Sequence, residues 1–85
     1  MEKNDQLFAS LIYIFQATAM QGLGKIKNPV TDKIERNMEQ AQQAIDMLEM
    51  IKDKTKGNLS SEMARLLDTF LNELRLNYID EAGKP

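Results

Sequence analysis

An all-α chain of three helices is what this sequence predicts, with the second and third folded back as an antiparallel hairpin in an oligomeric bundle. Two observations carry that prediction. Apolar residues recur at three- and four-residue spacing in three separate stretches. Helix-stopping and helix-starting residues bound those stretches: Gly22, Gly24 and Asn28-Pro29, then Gly57 and Ser60, then Gly83 and Pro85. The chain has 85 residues, the size of a single domain with a small core. Oligomerisation is one standard remedy for a core that small.

The first helix is expected over about residues 5–21, capped by Asn4 or Asp5. At 100° per residue, Leu7, Phe8, Leu11, Ile12, Ile14, Phe15, Thr18 and Ala19 form a broad face. Ala9, Tyr13, Gln16, Ala17 and Met20 form the opposite one. No formal charge occurs from Gln6 to Gly24. A surface helix of a soluble monomer keeps a charged side, so a helix without one is expected to be covered all round. A three-helix monomer leaves one side wet, which makes a second copy the expected cover. Ala9, Ser10, Ala17 and Ala19 are small enough for close approach.

Two other readings of this stretch are weaker. Lys3 before an apolar run, with Ala17-Thr18-Ala19 behind it, has the outline of a signal peptide, but Glu2 and Asp5 offset the lysine. Gln6–Gly24 has the length of a membrane span, but three glutamines, Ser10 and Thr18 make it too polar.

Residues 22–36 form the connection, long for a helix–helix link and so functional, mobile or packed across the bundle. The alternation in Lys25-Ile26-Lys27 and Lys33-Ile34-Glu35 also permits a small hairpin. Lys25, Lys27, Lys33 and Arg36 leave this segment locally basic, an alternative contact for nucleic acid or another anionic surface. No aromatic residue is interleaved to stack on bases, and the whole chain carries a net charge of −2, so nucleic acid is not the expected partner.

The second helix is expected over 37–56. It starts at Asp32 with Glu35 completing a capping box, or at Asn37 with Gln40 in that role. Ile34, Met38, Ala41, Ala44, Ile45, Leu48, Ile51 and Thr55 share a face. Lys52, Lys54 and Lys56 suit the helix dipole, and Gly57 follows as the stop. A turn at Asn58-Leu59 leads to Ser60, the cap of a third helix over 60–80 whose core face is Met63, Leu66, Leu67, Phe70, Leu71, Leu74 and Tyr78. Asp80–Pro85 reads as a fraying tail.

What is missing narrows the chemistry. Without His or Cys there is no imidazole base, no thiolate nucleophile, and no zinc or iron–sulfur ligation of the usual kind. Gly22 and Gly24 lack the remainder of a phosphate-binding loop. Glu39, Asp46, Glu49 and Asp53 are the one carboxylate cluster, and the helical wheel sets them opposite the apolar face as a solvated stripe. No metal, cofactor or catalytic residue is therefore expected. Met38 and Met63 fall on core faces, whereas Met50, Leu76 and Ile79 stand outside them. Together with Ala9, Tyr13, Ala17 and Met20, those three are the expected contact surface, for a second copy (a dimer in the first instance) or an unidentified protein.

The run Ala41-Gln42-Gln43-Ala44-Ile45-Asp46-Met47-Leu48, then Lys54-Thr55-Lys56-Gly57-Asn58-Leu59-Ser60, then Leu74-Arg75-Leu76-Asn77-Tyr78 resembles a small bacterial family, domain of unknown function 1844. Phe8-Ala9-Ser10-Leu11-Ile12, Leu23-Gly24 and Asn28-Pro29-Val30-Thr31 fit it as well, so the likeness spans about residues 7–79. The resemblance implies a cytoplasmic, all-helical protein and favours Asn37 as the start of the second helix. It brings no activity, cofactor or site residue.

Overall fold

The computed structural model describes residues 2–85. It has three helices: α1 over Lys3–Gly22, α2 over Met38–Lys54 and α3 over Ser61–Ala82. The first and third lie parallel, and the second runs antiparallel to both. Among the described residues the only β-type pairing is an isolated antiparallel bridge between Asn28 and Lys33.

Caps set two of the three helix starts. Asn37 is the N-cap of α2, its side chain accepting from Gln40 N at 3.0 Å. The reciprocal half of the expected box is absent: the Gln40 side chain instead donates across to Thr18 O of α1 at 3.1 Å. Ser60 caps α3 by accepting from Met63 N at 3.2 Å, and its hydroxyl donates to Asp5 at 3.0 Å. Asn4 and Asp5 therefore do not cap α1. They lie inside its first turn, and Glu2 occupies the N-cap position without a side-chain bond. Asp5 fastens the start of α1 to the start of α3 instead.

The core draws on all three helices. Ile12, Leu23, Ala41, Leu48, Leu67, Leu71 and Leu74 are essentially free of solvent. The face expected for α3 is the face it buries. On α2 the expected stripe holds from Ala41 to Ile51, but Ile34 lies outside the helix and is exposed. The closest approach is between α1 and α2, where Gly22 lies against Asn37 and Ala41, and Asn37 N donates to Gly22 O at 2.8 Å.

The connection is folded. Leu23 plugs into the core, and Gly24 turns the chain at φ +75°. At the far end, Asn28 accepts from Val30 N with its side chain and from Asp32 N with its carbonyl, and its own N–H donates to Lys33 O. The permitted hairpin is thus reduced to one tight loop.

The expected fraying tail is corrected. α3 continues to Ala82, and Glu81 is 7% exposed. Its carboxylate accepts from Lys25 Nζ at 3.0 Å and Lys84 Nζ at 2.7 Å, with Arg36 Nε at 3.8 Å. Arg36 also donates to the Glu81 carbonyl oxygen. Burial alone disfavours a carboxylate, but the two lysines over-compensate. Hydrogen bonds from Lys84 and then Lys25 lower the Glu81 pKa from an ordinary 4.5 to about 2, and the same contact raises that of Lys84. The signs follow. The carboxylate's contribution is complete above pH 4.5 and disappears as pH falls toward 2; the lysine's is complete below its ordinary 10.5 and is lost above it. Urea midpoints measured from pH 2 to 7 are therefore expected to fall more steeply for the wild type than for Glu81→Gln. Parallel curves would show that this contact contributes nothing to folding.

Candidate interaction surface

Both α2 and α3 pack on α1, and together they decide which of its sides stays in solvent. Phe8, Ile12, Phe15, Ala19 and Leu23 turn inward. Tyr13 meets Phe70 of α3 edge-on, with ring centroids 4.9 Å apart and planes at 67°. Ala9, Ala17 and Met20 are half-buried. Tyr13 keeps 52% of its surface in solvent, as expected of it, but Leu7, Leu11 and Ile14 are open too, at 59%, 43% and 61%. The expected assignment of faces on α1 is corrected accordingly, because the helical wheel sets those three on the core side.

The open side is prepared for burial in one respect. Its two hydroxyls already have partners: Ser10 Oγ donates to Gln6 O at 3.0 Å and Thr18 Oγ1 to Ile14 O at 2.9 Å. Covering them would strand no donor, which removes the usual penalty for burying a polar group. Beside this side runs a shallow groove between α1 and α2, lined by Phe15, Thr18, Gln40, Gln43, Ala44 and Met47. Met50 is exposed farther along α2.

The other expected contact residues are scattered. Leu76 and Ile79 are both exposed on the outer side of α3. The basic residues of the connection are largely engaged. Lys25 and Arg36 serve Glu81, Lys27 lies 3.9 Å from Asp32, and Lys33 is left exposed without an ion pair among the described residues. The acidic stripe is also dispersed: Glu49 pairs with Arg75 at 3.3 Å and Asp46 accepts from Gln42 at 2.8 Å. Among the described residues no three carboxylates converge to hold a metal ion. A groove between α2 and α3 is lined by Glu49, Lys52, Asp53, Lys56 and Arg75, with Lys52 tied to Asp68 at 2.8 Å. No helix among the described residues is long and apolar enough to cross a membrane.

Of the contact residues expected from the sequence, Tyr13, Met50, Leu76 and Ile79 are exposed and Ala9, Ala17 and Met20 half-buried, while the exposure of Leu7, Leu11 and Ile14 was missed. No spacing marks the open side, because Phe8, Ile12, Phe15 and Ala19, which turn inward, repeat the four-three-four pattern of Leu7, Leu11, Ile14 and Thr18.

Neither the curated proteins nor the solved structures contain a match to the chain. A family model described as "Domain of unknown function (DUF1844)" matches residues 5–80. With nearly its whole length covered, this chain belongs to the DUF1844 family.

Proposed function

We propose that this chain is a non-enzymatic interaction module that acts as a homo-oligomer, a dimer in the first instance, in the cytoplasm. The observation that carries the reading is the exposure of Leu7, Leu11 and Ile14 on a helix with no formal charge from Gln6 to Gly24. Three large aliphatic side chains in line are a contiguous apolar patch, not scattered surface leucines. The lack of His and Cys supports the non-enzymatic half of the reading, since it removes the commonest bases and nucleophiles. The basic connection gains no support as a nucleic-acid contact, because Lys25 and Arg36 already face Glu81.

Light scattering across the micromolar range tests this. The wild type is expected to exceed its monomer mass of 9.7 kDa as concentration rises. Ile14→Glu is expected to stay monomeric while keeping its helical circular dichroism, because burying an unpaired carboxylate costs several kcal/mol. A wild type that remains monomeric throughout would end the proposal.

A further inference from the structure

We infer that Glu81 is a catch: it holds the connection, residues 25–36, closed against the last turn of α3, and its release opens the connection while the three-helix core stays folded.

The connection has little else to hold it. Its entry and exit are fixed by main-chain bonds, Lys25 N to Met20 O at 2.9 Å and Asn37 N to Gly22 O at 2.8 Å. Between them the chain bonds chiefly to itself. Asn28 N donates to Lys33 O and Asp32 N to Asn28 O, the Thr31 hydroxyl donates to Glu35 at 2.6 Å, and Lys27 lies 3.9 Å from Asp32. The apolar side chains add no anchor, since Ile26, Val30 and Ile34 are exposed and outside the core cluster. Among the described residues, every ion pair that leaves the connection ends on Asp80 or Glu81.

Glu81 grips both limbs of the connection at once. Its Oε2 takes Lys25 Nζ from the entry limb at 3.0 Å, and its Oε1 lies 3.8 Å from Arg36 Nε of the exit limb. Arg36 also donates to the main-chain carbonyl of the same residue. A carboxylate has the two acceptor oxygens that such a bridge needs. The limbs are thereby held side by side at Gly24, where a side chain would meet Ile34 and Arg36. With Glu81 itself nearly buried, these contacts are screened less than an exposed pair would be.

The catch sits where opening costs least. Helix ends open locally more easily than cores do. Leu74, the last buried apolar residue of α3, lies two turns before Glu81. Unwinding the last turn withdraws the carboxylate and the carbonyl together, and no core side chain has to move with them. Lys84, 2.7 Å from Glu81 and 3.3 Å from Asp80, braces that turn from within. Release leaves Lys25 and Arg36 without a carboxylate, so the closed state is the one that masks them.

Amide hydrogen exchange of the full chain, followed residue by residue in low urea, tests the catch. The amides of Lys25, Asn28 and Asp32 are expected to exchange through an opening that hardly responds to urea, because it exposes little surface. Those of Leu48 and Leu71 are expected to show the full urea dependence of unfolding. Glu81→Ala keeps a good helix former in the turn and is expected to speed exchange in the connection about tenfold, the loss of one charge-assisted hydrogen bond. Coupling is reciprocal, so Lys25→Ala combined with Arg36→Ala is expected to speed the Ala82 amide by a similar factor. Lys33→Ala, a cation of the connection that touches neither Asp80 nor Glu81, is expected to change neither. Connection amides with the urea dependence of the core would overturn the inference, since the connection would then open only with the whole fold. So would exchange in the connection that Glu81→Ala leaves unchanged, or an Ala82 amide indifferent to the double variant.

Discussion

Gly22→Ala is expected to destabilise the fold by about 3 kcal/mol, the upper part of the range for overpacking a tight contact. A Cβ at residue 22 would lie 2.7 Å from Ala41 N and 2.7 Å from Asn37 O, with Ala41 Cα at 3.1 Å. Those first two atoms are the donor and acceptor of a backbone hydrogen bond of 3.1 Å in the first turn of α2. Neither can rotate away, because both are main chain. To admit the methyl, the end of α1 must lift off α2, and the bond from Asn37 N to Gly22 O lengthens with it. Alanine is the better helix former by about 1 kcal/mol, an opposing gain too small to win. An 85-residue fold has about 4–13 kcal/mol of total stability, so the loss is a large fraction. Urea denaturation measures it. An equally stable Gly22→Ala protein would mean that α1 and α2 do not approach this closely.

Leu48→Ala is expected to cost about 3–5 kcal/mol, through lost transfer energy and the cavity left behind. Leu48 is completely buried in the middle of α2, in the cluster that joins Ile12 of α1 to Leu71 and Leu74 of α3. A small three-helix core has no second layer to fill the void. The melting temperature should fall by about 4–8 °C for each kcal/mol lost. The measurement is a pair of urea titrations at one protein concentration, since self-association would make apparent stability depend on concentration. A midpoint shift comparable to that of an exposed control such as Leu76→Ala would contradict the central position of Leu48.

Local features of the chain are legible in its residue order. Asn37 and Ser60 are recognisable caps, and they bond to the amides of Gln40 and Met63 as the capping rule requires. The core face of α3 stands out because charged residues mark its other side. Two features are not legible there, for different reasons. Glu81 finds its cations 45 and 56 positions away, at Arg36 and Lys25, and nothing in a tail containing Gly83 and Pro85 announces that meeting. On α1 the wheel is ambiguous, because a helix without charge has no polar side to mark the outward direction.

Residue order alone determined that there are three helices, where the third begins, and that the first carries more apolar surface than one small bundle can cover. The rotation of α1 about its own axis came from packing. Ala19 and Gly22 are small, and they let α1 sink against Ala41 and Ala44 of α2. The closest approach therefore follows the small residues, not the bulky ones. That turns Leu7, Leu11 and Ile14 toward solvent and Tyr13 toward Phe70. A hydrophobic wheel weighs how much apolar surface each side presents; close packing selects the side on which two backbones can come nearest.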